Sequence, residues 1–433
     1  MGVIESLERR VVGKVSRRLL PYLFLLYVIA YLDRINVGVA RLQITRDLPI
    51  DESAWGLGMG IFFAGYFLFE VPSNLVLARV GARRWIARIM ILWGLISSCT
   101  MFVRGQRSFY LLRFLLGAAE AGFFPGILYY MTHWFREKDR AKAVALFMTA
   151  GAITGVIGSP LSGLFLEMDK MAGLKGWQWL FLMEGIPAVL LGFSVLALLT
   201  ETPREATWLA PEEREWLAGE IDRERAAKDA GTRPTVLDIL RHPTVLHLTA
   251  IYFLMACGSY GFELWLPEIV KSISGAGNFR VTLLVAVPYI VGAVVMVGVA
   301  QHSDRTGERR KHVALSALLA AGGFISAALL RNPLPIFISL SLAWAGVKAL
   351  HGPFWAVPPA FLSGPGAAVG LALINSVGNL GGWAGPWLAG FLRKETQSFQ
   401  AGFLVSGLLL LGSALLGFAL PRVQGPGFRP MKR

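Results

Sequence analysis

The sequence predicts an all-α integral membrane protein with twelve transmembrane helices in two six-helix halves. Three observations carry that expectation: an apolar composition, twelve apolar runs of spanning length, and one polar stretch that divides them equally. Of 433 residues, 55% are hydrophobic and only 16% charged, with a mean hydropathy of +0.54. A soluble chain of this size would carry about 25% charged residues. The 48 glycines suit helices that pack closely in lipid.

A span needs about 20 predominantly apolar residues. Such runs lie near 19–40, 55–78, 85–103, 109–133, 143–166 and 178–199, then near 245–270, 279–300, 312–330, 334–358, 367–391 and 400–420. Between the sixth and seventh, Glu201 to Pro243 is polar, and Ala210–Ala227 reads as an amphipathic helix opened by Pro211. The expected organisation is a first half over 1–200, a linker over 201–243 and a second half over 244–433. Equal halves point to a duplicated core with its site between them near the midplane.

The net charge of +14 is distributed by loop. Basic residues cluster at Arg9 to Arg18, Arg79 to Arg88, Arg136 to Lys142, Arg204 to Arg241, Arg305 to Lys311 and Arg422 to Arg433, whereas the intervening loops are short and poorly or mixedly charged. This alternation is the positive-inside pattern, which places both termini in the cytoplasm and accounts for the charge without nucleic acid. The expectation is a multi-pass protein of the inner (plasma) membrane, a monomer. The first run is too long for a cleaved signal peptide. Cys99 and Cys257 both fall in apolar segments, no Cys/His metal spacing is present, and no cofactor or metal is expected.

Two loops repeat. After the second run comes Ala78-Arg79-Val80-Gly81-Ala82-Arg83-Arg84, and after the eighth Asp304-Arg305-Thr306-Gly307-Glu308-Arg309-Arg310. The shared Arg-x-Gly-x-Arg-Arg resembles the cytoplasmic loop motif of the major facilitator superfamily, in which the glycine permits a tight turn and the charges latch neighbouring helices. The first copy has Ala78 where the superfamily usually has Asp; the second keeps Asp304. Tyr31-Leu32-Asp33-Arg34-Ile35-Asn36, Gly65 to Asn74, and Arg113-Phe114-Leu115-Leu116-Gly117 followed by Glu120 and Pro125-Gly126 are similar to the first, second and fourth helices of its anion:cation symporter branch. Phe354 to Pro358 and Asn375 to Asn379 are similar to its tenth and eleventh. The resemblance implies transport of an organic acid, such as a hexonate, hexuronate, tartrate, phthalate or hydroxyphenylacetate, typically with protons.

The residues themselves carry a physical reading. A charge deep in a span costs about 2.5–3.5 kcal/mol on insertion scales, so Asp33 and Arg34 must face protein, water or a substrate path. Counted from Leu19, Asp33 lies about 21 Å into its helix, and Glu120 about 16 Å from Phe109, so the two share depths. A desolvated carboxylate can load a proton near neutral pH. Arg113 stands two turns before Glu120 on one face, where a direct or water-linked ion pair would be either a coupling device or a structural clamp. The resemblance supports Asp33 and Glu120 as proton sites. Arg34 suits a carboxylate bidentately, unless it serves helix carbonyls. Asp33 and Arg34, about 100° apart on the helix, should serve different walls.

By the same resemblance Tyr31, Tyr66, Trp355 and Asn375 map to the substrate cavity; without it they would read as packing residues and helix glue. Lys348 and Glu263 exceed the branch pattern. The plain account pairs them; the sharper one makes Lys348 a second carboxylate site for a dicarboxylate or a bulky aromatic acid. His351, one turn further, reads as a packing residue that could also titrate. Pro125-Gly126, Ser159-Pro160, Pro353 and Pro358-Pro359 are flex points or static kinks. The leading expectation is a proton-coupled organic-anion importer working by alternating access. A proton-driven exporter of organic cations on the same fold is the rival, disfavoured by Arg34 and Lys348. No enzyme motif and no signalling domain is read.

Overall fold

The structure, a computed structural model, describes residues 2–229, 241–358 and 365–420. Its described residues are helical, with no strand among them. The first half comprises α1 (Gly2–Ile44), α2 (Glu52–Val80), α3 (Ala82–Cys99), α4 (Gln106–Glu120), α5 (Phe123–Thr132), α6 (Glu137–Leu166) and α7 (Gly176–Leu198). The linker helix α8 (Pro211–Asp229) follows. The second half comprises α9 (Pro243–Glu263), α10 (Leu266–Ser274), α11 (Asn278–Thr306), α12 (Arg310–Leu329), α13 (Pro333–Trp355), α14 (Pro365–Asn379), α15 (Gly381–Thr396) and α16 (Gln400–Ala419). Pro359 and the basic tail from Arg422 lie outside the described residues.

Eleven spans among the described residues are long and apolar enough to cross a membrane. The twelfth is the consecutive pair α14 and α15, each too short to count alone and separated by Leu380. The fourth span is also broken, though not at Pro125-Gly126 as expected. The break falls at Ala121 and Gly122, where Ala121 is extended and Gly122 has φ of 88°. Pro125 then sits in the first turn of α5, where a missing N–H costs nothing. The carbonyl of Ala121 freed by the break accepts a hydrogen bond from Ser73 Oγ on α2 at 2.6 Å. The seventh span is also interrupted, after Glu263, by a two-residue turn in which Leu264 and Trp265 keep right-handed helical angles.

The repeated loops are tight turns, with φ of 97° at Gly81 and 66° at Gly307. Asp304 pairs with Arg309 at 2.6 Å. Where the first copy lacks its acid, another supplies it: Glu201, just past α7, accepts from the backbone N–H groups of Ala82 at 2.6 Å and Arg83 at 2.9 Å. A carboxylate on the first free N–H groups of a helix is stabilised by both hydrogen bonding and the macrodipole. Arg79 and Arg305 project outward from these turns. The linker helix is fastened to the same end of the first half, through Lys14–Glu213 at 2.8 Å and Arg140–Glu224 at 2.8 Å.

At the end opposite these basic loops, the two halves are in close contact. A Cβ on Gly56 or Gly60 of α2 would lie 2.4 Å from the carbonyl oxygen of Pro386 or 2.5 Å from that of Trp383, both on α15. Only glycine lets the backbones approach so closely. Buried Arg41 of α1 pairs with Glu268 of α10 at 2.5 Å, its guanidinium 4.5 Å from the centre of Trp265 and 5.5 Å from that of Trp55. Asp51 and Lys394 close the same edge at 3.1 Å.

Candidate functional site

Helix α1 carries its polar residues to the middle of the molecule on two faces, as the angular spacing of Asp33 and Arg34 requires. Asp33 points into the first half. It accepts from Ser97 of α3 and, at 3.0 Å, from Asn36 one turn on, while its second oxygen has no hydrogen-bond partner. Arg34 points the other way and pairs with Glu120 of α4. Its guanidinium lies over the rings of Phe62 and Tyr66, 5.4 and 5.6 Å from their centres. Glu120 is 2% exposed and Arg34 16%, so the acid is sealed and the cation retains an open side.

This arrangement revises one expectation. The partner of Glu120 is Arg34, not Arg113. Spacing along one helix put Arg113 and Glu120 on a common face, but Arg113 turns onto the Phe62 ring at 4.9 Å. Its Nε and Nη2 have no hydrogen-bond partner. The common depth of the first and fourth helices was legible; their relative rotation was not.

A second ionic group stands in the other half. Glu263, the last residue of α9, accepts from Tyr31 of α1 at 2.6 Å and from Tyr289 of α11 at 3.0 Å. The Nζ of Lys348 lies 3.6 Å from the same carboxylate oxygen and donates to the Tyr31 hydroxyl at 3.3 Å. It also lies 4.3 Å from the centre of the Trp344 ring. Tyr31, Tyr260, Glu263, Trp344, Lys348 and His351 line a small central cavity. His351 is bonded through Nδ1 to the carbonyl of Val347 at 2.8 Å.

The other sequence candidates are placed as follows. Tyr66 is buried under Arg34. Trp355 packs edge-on against Tyr252, ring centres 5.0 Å apart. Asn375 donates to Glu70 of α2 at 3.1 Å, and Ser376 donates to the same carboxylate at 2.6 Å, a polar contact between the halves. Two acids escaped the sequence reading. Glu70 lay inside the second-helix motif, and Glu184 was the lone acid of the sixth run. Glu184 is 1% exposed and accepts from Ser162 of α6 at 2.6 Å. A single acid in a span was the signal for each.

Two inward-facing ionic groups between two six-helix halves mark a membrane transporter. The chain belongs to the major facilitator superfamily, whose profile, "Major Facilitator Superfamily", matches residues 23–381. It is 47% identical over 421 residues to the Agrobacterium vitis protein named "Putative tartrate transporter", covering 97% of this chain and 93% of that one. It is 40% identical over 411 residues to the "Quinolone resistance transporter" of Acinetobacter baumannii, with 95% of each covered. Among solved structures, the partially occluded inward-open conformation of the xylose transporter XylE from E. coli shares the fold with a TM-score of 0.78 at 14% identity. The match covers 96% of this chain and 100% of that one.

Proposed function

We propose that the protein is a proton-coupled symporter that imports a small organic carboxylate by alternating access. The observation that carries this reading is the Arg34–Glu120 pair, a cation with one open side held by a sealed acid at the centre of the molecule. Paired, Arg34 has its charge satisfied by the protein. When Glu120 takes up a proton the pair is broken, and the guanidinium presents its fork to an anion. A bound carboxylate replaces the glutamate's charge, so the loaded centre is again neutral and the halves can rock without carrying an unpaired charge through a low-dielectric interior. Asp33, held by Ser97 and Asn36, is the second proton site. Arg113, cationic and without a hydrogen-bond partner at Nε and Nη2, keeps the field around both acids positive. Tyr66, Trp355 and Asn375 complete the substrate walls.

The basic loops belong at the cytoplasmic face by the positive-inside rule. The sealed end with Arg41 and Glu268 is then the outer end. The Agrobacterium relative named for tartrate, alike over nearly the whole chain, favours a hydroxy acid among the carboxylates. The Acinetobacter relative named for quinolone resistance favours a second reading, proton-driven export of organic cations or other small solutes on the same fold.

The test is thermal stabilisation of the purified protein across a panel of organic acids and organic cations. A ligand at about 100 times its Kd adds about 2.7 kcal/mol. A carboxylate hit that disappears in Arg34→Ala is expected. A cation hit, or a carboxylate hit indifferent to Arg34, would overturn the reading.

A further inference from the structure

The two ionic groups are related by the repeat of the halves. In the first half the cation stands on the first span, Arg34, and the acid on the fourth, Glu120. In the second half the acid stands on the first span, Glu263, and the cation on the fourth, Lys348. Both acids end a helix just before a break in their span: α4 stops at Glu120 and α9 at Glu263. A carboxylate at a helix C-terminus meets the negative end of the macrodipole and needs a cation or donors to hold it there. Each half therefore presents the same device, a cation whose counter-charge is an internal carboxylate.

We infer that Lys348 is the anchor for a second carboxylate of the substrate, and that Glu263 is its internal stand-in, released by a proton of its own. This rests on the carboxylate reading above and narrows it to dicarboxylates. The substrate side is open to it: Lys348 and Glu263 line the central cavity. Tyr31, which bonds both, is one turn from Arg34 on α1, so the two cations flank a common wall. The Lys348–Glu263 separation of 3.6 Å is looser than a hydrogen-bonded ion pair, so an incoming carboxylate can compete for the ammonium.

The groups facing Glu263 are Tyr31 from α1, Tyr289 from α11, Tyr260 from its own helix, and Lys348 and His351 from α13. A proton added to the Glu263 carboxylate turns it from acceptor into donor and cancels its hold on Lys348. The ammonium keeps its charge and passes to the substrate, and the proton leaves with the dicarboxylate. One proton at each acid against one dianion makes the cycle electroneutral at these two sites.

The experiment uses the full-length protein in proteoliposomes and two probes of like chemistry, L-tartrate with two carboxylates and glycerate with one. Lys348→Met should weaken tartrate binding about tenfold or more while leaving glycerate within a factor of about two. In Glu263→Gln, which copies the protonated acid without changing shape, the ratio of tartrate to glycerate affinity should exceed that of wild type. Equal losses for both probes in Lys348→Met, or an unchanged ratio in Glu263→Gln, would overturn the inference. Glutamine keeps the fold testable where methionine perturbs it. Glycerate transport dependent on Arg34 without tartrate binding sinks this inference alone; no carboxylate binding by wild type sinks the carboxylate reading itself.

Discussion

Replacing Gly56 and Gly60 together by alanine should prop open the end of the molecule that the structure shows sealed. Each added Cβ would stand 2.4–2.5 Å from a backbone carbonyl oxygen of α15, and backbone cannot step aside as a side-chain tip can. Ordinary contact needs about 3.4 Å or more, so α2 and α15 must separate by roughly an ångström. Overpacking of this kind costs typically about 1–3 kcal/mol per site. A combined cost of about 3 kcal/mol, set against the sealed state alone, shifts the balance between sealed and open states by about 150-fold. Spin labels at the exposed positions Arg46 and Glu395, one in each half at that end, report the separation directly. The double variant should move the distance distribution to longer values. Gly298→Ala is the control, because its Cβ meets nothing within 4 Å among the described residues. Identical distributions in the double variant and the control would refute the argument that these glycines set the closure.

Other outcomes follow from the same geometry. Glu201→Ala removes the carboxylate that accepts from Ala82 and Arg83, and should cost about 1–2 kcal/mol, read as a lower melting temperature. Loss of the linker contact should follow acid titration of Glu213, whose carboxyl the hydrogen bond from Lys14 holds below the usual glutamate range. Because the folded-state value is depressed, the stabilisation is full above the ordinary glutamate value of about 4.3 and is lost as the pH falls through the lower folded value. Hydrogen exchange in α8 should therefore rise in acid, and Glu213→Gln should show the raised exchange already at neutral pH. Arg41→Met removes an ion pair and two ring contacts across the sealed end, and should lengthen the Arg46–Glu395 label distance as the alanine pair does.

The spans and their grouping were legible because lipid imposes a length and an apolarity that a sequence cannot disguise. So were Asp33, Arg34, Glu120 and Lys348, since a charge in an apolar run announces itself. Pairing was harder. Periodicity fixes angles around one helix but not the rotation of a neighbour, and so Arg113 was read beside Glu120 when Arg34 reaches it from α1. The break after Glu120 hid behind Pro125, a stronger breaker on paper than Gly122, whose positive φ only the fold reveals. Glu201 filling the place of the missing acid at Ala78 is a contact between residues 119 positions apart, beyond any local pattern. Arg41 and Glu268 sit at helix ends, where charges are ordinary, and nothing in the sequence marked them as a cross-half contact.

The central claim is that Glu120 exchanges Arg34 for a proton as the anion binds. Proton uptake measured with a pH dye in proteoliposomes, on adding L-tartrate to wild type and to Glu120→Gln, tests it most directly. The account predicts substrate-driven proton entry in wild type, and in Glu120→Gln retained tartrate binding with fewer protons carried per anion. The same proton count per anion in both proteins would contradict it.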